Sequence, residues 1–102
     1  MNQTLDVRIQ GDSMWPTFRD GEVVSFSEEN LESLSVGDVV LISHPFKPGV
    51  RMVKRVLRVE ANGDLFLVGD NPDPLASEDS HNFGPVSVRL VEARWSGKPE
   101  RA

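Results

Sequence analysis

The chain reads as a mainly β protein, a small coiled or closed fold of roughly five to seven short strands. Three observations predict it. β-rich segments recur at short spacing, turn residues separate them, and sustained helical periodicity is absent. With 102 residues, 38% of them hydrophobic and 26% charged, the expectation is one soluble domain over residues 1–102 with one modest core.

The elements follow in order. Leu5–Gln10 and Glu22–Phe26 are the first two strands, with Asp20-Gly21 as turn chemistry before the second. Glu28–Leu34 is the one stretch able to hold a helical turn. Asp38–Ser43 follows Val36-Gly37 and contains Val39-Val40-Leu41-Ile42, the longest clean apolar run. Val50–Glu60 and Asp64–Val68 form a hairpin with Asn62-Gly63 at its tip, since both residues tolerate the positive φ of a tight turn. Val86–Trp95 is the last strand. Between the hairpin and that strand lies GDNPDPLASEDSHNFGPV, Gly69 to Val86, long and poor in regular structure. Loops of this kind inside small domains are commonly functional.

Charge and composition exclude several classes. A net charge of −5 does not suit a nucleic-acid backbone binder, which carries a basic patch. No cysteine is present, so disulfides, thiolate metal sites and cysteine nucleophiles are all ruled out. MNQTLDVRIQ has neither the basic region nor the apolar core of a secretory signal, and no run approaches the roughly 20 residues of a membrane span. The expectation is a cytoplasmic protein with no membrane span.

The chemistry centres on GDSMWPTF, Gly11 to Phe18, where Ser13 sits in a Gly/Pro-constrained turn at the end of a strand. A serine becomes a nucleophile only when a base takes its proton. Three residues offer themselves. His44 lies in a Pro-punctuated connection, where a surface residue is expected. His81 stands near Asp79, so a Ser13-His81-Asp79 triad is conceivable, but no local signature supports it. Lys54, in RMVKRVLRV, is flanked on its own strand face by Met52 and Val56, a setting that would desolvate its ammonium. The alternative is a solvent-facing lysine in a basic strand with Arg51, Arg55 and Arg58. Asp70, Asn71, Asp73, Glu78 and Asp79 offer oxygens to a cation, but their spacing does not match the helix-flanked twelve-residue calcium loop. No metal or other cofactor is expected.

Taken together, GDSMWPT, VGDVVLISHP, MVKRV and GDNPDPLASEDSHNFGPV run in one order from about Val7 to Arg94. In that order they resemble the boxes of the signal-peptidase-like (S26-type) serine proteases with a Ser-Lys dyad. The resemblance implies a fold of the signal-peptidase and repressor-protease type. It further implies Ser13 as nucleophile, Lys54 as general base and Ser77 as the hydroxyl that orients the lysine. The oxyanion hole would rest on the Ser13 backbone N–H with Gly11 and Asp12. Arg55 would pair with Asp70 or Asp79 as scaffold, and Met14, Trp15 and Val53 would meet the substrate. An extended peptide would lie beside Leu5–Gln10 and Val50–Val53.

The chain departs from the family in three places. Gly11 stands where many bacterial signal peptidases have an oxyanion-hole serine, a loss that costs about 2.7–4 kcal/mol in other serine proteases. His81 stands where an arginine is frequent after Ser-x-Asp-Ser. The inserted second β-domain is replaced by the Asn62-Gly63 hairpin. This short form is similar to the maturation proteases of nickel-type superoxide dismutase, which implies a precursor with an N-terminal propeptide as partner. Two alternatives come with the resemblance. One is a self-cleaving repressor-type protease domain, although the Ala-Gly and Cys-Gly dipeptides cut in such domains do not occur here. The other is an inactive β binding module of the same fold.

Overall fold

A computed structural model describes residues 3–76 and 78–95. Among these residues six strands form one antiparallel sheet: β1 (Thr4–Arg8), β2 (Val23–Ser27), β3 (Val39–Ser43), β4 (Arg51–Val59), β5 (Leu65–Val68) and β6 (Val91–Trp95). Their order across the sheet is β1-β2-β6-β3-β4-β5, so β1 and β5 are its two edges. The sheet is therefore open among the described residues, not closed.

β3 lies inside the sheet because its sequence suits burial on both faces. Val39, Val40, Leu41 and Ile42 are all buried. Val39 and Leu41 join one core with Met14, Phe18, Val24 and Phe26. Val40 and Ile42, pointing the other way, join a second core with Val56, Leu65 and Leu67.

β4 changes partner along its length. Arg51–Arg55 pair with β3, and Arg55–Val59 pair with β5. The β4–β5 register shifts between Val56 and Arg58, which leaves Leu57 as an extra, exposed residue. Such a bulge bends the strand. The hairpin tip is the expected one, with Gly63 at φ 94° and the Asn62 side chain accepting from the Asp64 N–H at 2.9 Å.

The described residues of the Gly69–Val86 loop hold more regular structure than its composition suggests. It contains a one-turn helix, α1 (Ser80–Phe83), with Asp79 as N-cap in a capping box completed by Asn82. The Val86–Trp95 segment becomes a single bridge at Val86, a 3-10 turn over Val88–Leu90 and then β6. The helical turn expected within Glu28–Leu34 is a 3-10 turn over Leu31–Ser33. Among the described residues no helix is long and apolar enough to cross a membrane.

Candidate active site

Ser13 lies in the long connection between β1 and β2. Two backbone bonds close its base, Ile9 N–H to the Glu22 carbonyl at 2.8 Å and Gly21 N–H to the Ile9 carbonyl at 2.7 Å. Met14 and Phe18 are 1% and 3% exposed, so the turn is nailed into the first core on either side of the polar residues between them. Phe18 meets Trp95 edge-on at 5.0 Å between ring centroids. The turn itself is held by Trp15 N–H donating to the Asp12 carbonyl at 3.1 Å and Phe18 N–H to the Met14 carbonyl at 3.0 Å.

Lys54 comes from β4, opposite Val40 of β3, and is 3% exposed. It shares its strand face with Met52 and Val56, both packed in the second core. Burial pushes its ammonium below the ordinary lysine value, while the negative charges of Asp79 and Glu78 act against that shift. Among the described residues no carboxylate lies within ion-pair distance of it. The solvent-facing alternative for Lys54 is thereby overturned, because its strand face is turned into the second core with Met52 and Val56 rather than out to water.

Ser13 and Lys54 line one groove of about 500 Å³. One wall is Asp6–Gln10 and the other Arg51–Lys54, with Met14 and Leu41 also contributing. β1 pairs only with β2, and β5 begins to pair with β4 only at Arg55. Both walls therefore present strand edges without a sheet partner among the described residues, which is what an added strand requires.

A polar network joins the two sides of the site. Arg55 donates through Nε and Nη2 to the two oxygens of Asp70, both at 2.7 Å, and through Nη1 to the Gly37 carbonyl at 2.7 Å. Thr17 Oγ1 donates to Asp70 Oδ2 at 2.5 Å. Burial alone would raise the Asp70 carboxyl, but the bonds from Arg55 and Thr17 and the Arg55 charge outweigh it and hold the carboxyl below its usual value. Asn71 adds two contacts to the serine turn, its N–H to the Ser13 carbonyl at 3.0 Å and its Nδ2 to the Asp12 carbonyl at 2.8 Å.

A second cluster fixes the loop beside Lys54. Buried His44 accepts the Phe46 N–H on Nδ1 at 3.0 Å, so Nε2 carries a proton and donates to Glu78 Oε1 at 3.1 Å. Lys47 Nζ meets the same oxygen at 3.3 Å. His44, expected on the surface, is thus a buried tether for the loop.

Several expectations need correction. Gly11 cannot offer its N–H to an oxyanion, because that group donates to Asp20 Oδ1 at 2.7 Å. The Asp12 and Ser13 N–H groups, by contrast, have no acceptor among the described residues. Asp79 does not pair with Arg55; it caps α1 and contacts His81 Nδ1 at 3.0 Å. His81 is exposed, packs edge-on against Phe66 and lines no part of the groove, so the Ser13-His81-Asp79 triad is not assembled. Trp15 is 44% exposed and also outside the groove lining, because Met14 takes the inward position of that turn. Val53 does line the groove. Ser77 lies outside the described residues. The acidic residues of the closing loop are each engaged separately, Asp70 by Arg55, Asp73 by the Leu75 N–H, Glu78 by His44 and Asp79 by α1. The sequence does not single out Thr17 and offers Asn71 only as a cation oxygen, yet both contact the other side of the site, Thr17 through Asp70 and Asn71 through Asp12.

The fold and groove define a small β protein with a serine turn and a buried lysine in one strand-lined cleft. The Peptidase S24-like family model matches residues 2–87, and the chain belongs to that family. It is similar to mitochondrial inner membrane protease subunit 1 of Xenopus tropicalis, with 30% identity over 105 aligned positions covering 82% of this chain and 62% of that protein. Subunit 2 of the corresponding protease of Danio rerio is 32% identical over 112 positions, covering 87% and 60%. The mitochondrial ATP-independent inner membrane protease subunit 1a of Arabidopsis thaliana is 29% identical, covering 84% and 64%. The chain spans about three fifths of the length of these relatives.

Proposed function

We propose that residues 1–102 form one protease domain, a serine endopeptidase with a Ser-Lys dyad that removes an N-terminal propeptide from a precursor protein. The observation that carries this reading is a buried lysine, depressed by desolvation, in the same groove as a turn-held serine. Membership of a peptidase family and relatives named as protease subunits support it.

In this mechanism the peptide lies extended between β1 and the start of β4. Neutral Lys54 takes the proton of Ser13 Oγ as that oxygen attacks the scissile carbonyl. The N–H groups of Asp12 and Ser13 receive the developing oxyanion. Lys54 then gives its proton to the leaving amine, and a water repeats the cycle on the acyl-enzyme. Ser77 would orient the ammonium, and the Arg55–Asp70 pair would keep the lysine strand against the serine turn.

The partner we propose is the precursor of nickel-type superoxide dismutase, the metal belonging to the substrate. The test is intact-mass spectrometry of that precursor after incubation with wild type and Ser13→Ala. One N-terminal truncation seen only with wild type supports the assignment. An intact precursor alongside cleavage of other peptides would discard the substrate and keep the protease.

A further inference from the structure

Asn71 is set apart by what it does to the serine turn. Its backbone N–H reaches the Ser13 carbonyl at 3.0 Å, and its side-chain Nδ2 reaches the Asp12 carbonyl at 2.8 Å. Its Oδ1 accepts the Asp73 N–H at 2.8 Å. That third bond settles which end of the amide is which, so the NH₂ group must face Asp12. The Asp12 carbonyl also accepts the Trp15 N–H at 3.1 Å, which fills both of its lone pairs.

The remaining polar groups of the turn show why this matters. Gly11 N–H is spent on Asp20, and the carbonyls of Asp12 and Ser13 are spent on Asn71 and Trp15. The N–H groups of Asp12 and Ser13, like those of Met14 and Thr17, have no acceptor among the described residues, and the first two flank the nucleophile's own peptide. A peptide plane fixed at its carbonyl is fixed at its N–H as well, because the unit is planar. Holding the Asp12 carbonyl sets the plane that carries the Ser13 N–H. Holding the Ser13 carbonyl sets the position of the serine itself.

We infer that Asn71 is a positioning residue that aims the Ser13 N–H and Oγ, by clamping the two carbonyls on either side of the Ser13 α-carbon. The inference rests on the hydrolase reading given above. It assigns to the closing loop a role in the oxyanion geometry, separate from orientation of the lysine. Gly11 lacks the side chain that could supply an extra donor, so the backbone alone must be held in place.

Asn71→Asp is the sharpest variant. It keeps the backbone bond and the acceptor for Asp73 N–H, and sets an oxygen against the Asp12 carbonyl. Kinetics on a peptide cleaved by wild type should show kcat lower by roughly 10- to 100-fold, the scale of a small misplacement at a reacting centre. KM should not move, since Asn71 is no part of the groove walls. In amide spectra of the same variant, the Asp12 and Ser13 resonances should shift while those of β3 and β6 stay in place. Wild-type kcat, or unmoved Asp12 and Ser13 amides, would overturn the inference. So would loss of dispersion across the whole spectrum, which would make Asn71 a general scaffold residue. A wild-type chain that cleaves nothing would defeat the hydrolase reading instead, and the amide shifts would still decide whether the clamp exists.

Discussion

Arg55 and Asp70 form a two-pronged ion pair, with both N–O distances at 2.7 Å, and Asp70 also receives the Thr17 hydroxyl. Arg55 is the neighbour of Lys54, and Thr17 belongs to the turn of Ser13. One carboxylate thus ties the strand that carries the lysine to the turn that carries the serine.

Replacing Asp70 by Asn should therefore loosen both. A hydrogen bond to a charged group is worth about 1.5–3 kcal/mol, and about 4–8 °C of melting temperature accompanies each kcal/mol in a domain of this size. Because the folded carboxyl titrates below its unfolded value, the pair's stability is present above the unfolded pKa and is lost as pH falls through the folded one. Wild type should lose its advantage over Asp70→Asn in acid, as read by thermal melts below about pH 4.

Lys54→Met should separate stability from activity. Burial lowers the folded lysine below its unfolded value, so between the two values the unfolded chain holds more protons and stability rises with pH. At neutral pH the buried amine is a net cost. The methionine variant should melt higher than wild type at pH 7, with the gap closing above about pH 10.4, and should cleave nothing.

The pH–rate profile should carry the mark of the same lysine. Cleavage needs its neutral form, so kcat/KM should climb with pH through a midpoint below the ordinary lysine value. Asp79 acts to raise that midpoint. Asp79→Asn, which preserves a good N-cap for α1, should move the ascending limb to lower pH. An unmoved limb would remove Lys54 as its source.

Met14→Ala should test the anchoring of the serine turn. Met14 is 1% exposed in the first core, and emptying such a site costs about 2–5 kcal/mol. Thermal melts should show that loss, and kcat should fall in the fraction that stays folded.

The parts of this molecule legible in the sequence are those set by local pattern. The β3 run, the Asn62-Gly63 hairpin tip and the placement of Lys54 between Met52 and Val56 all follow from period two and turn chemistry. Its long-range polar contacts are not of that kind. Thr17 meets Asp70 across 53 residues and Asn71 meets Asp12 across 59, and nothing in either segment announces the other. The commitment of the Gly11 N–H to Asp20 depends on how the connection closes on itself. The α1 turn had a local signal, since Asp79 and Asn82 stand at capping-box spacing. The open sheet instead reflects which strands pair with which, from β1 at one edge to β5 at the other, which composition does not specify.

The most direct test of a Ser13–Lys54 centre is mass-spectrometric analysis of a mixed peptide library incubated with wild type, Ser13→Ala and Lys54→Met, each verified as folded. Cleavage by wild type that is absent from both variants is the predicted result. Cleavage that survives in either variant would contradict the dyad.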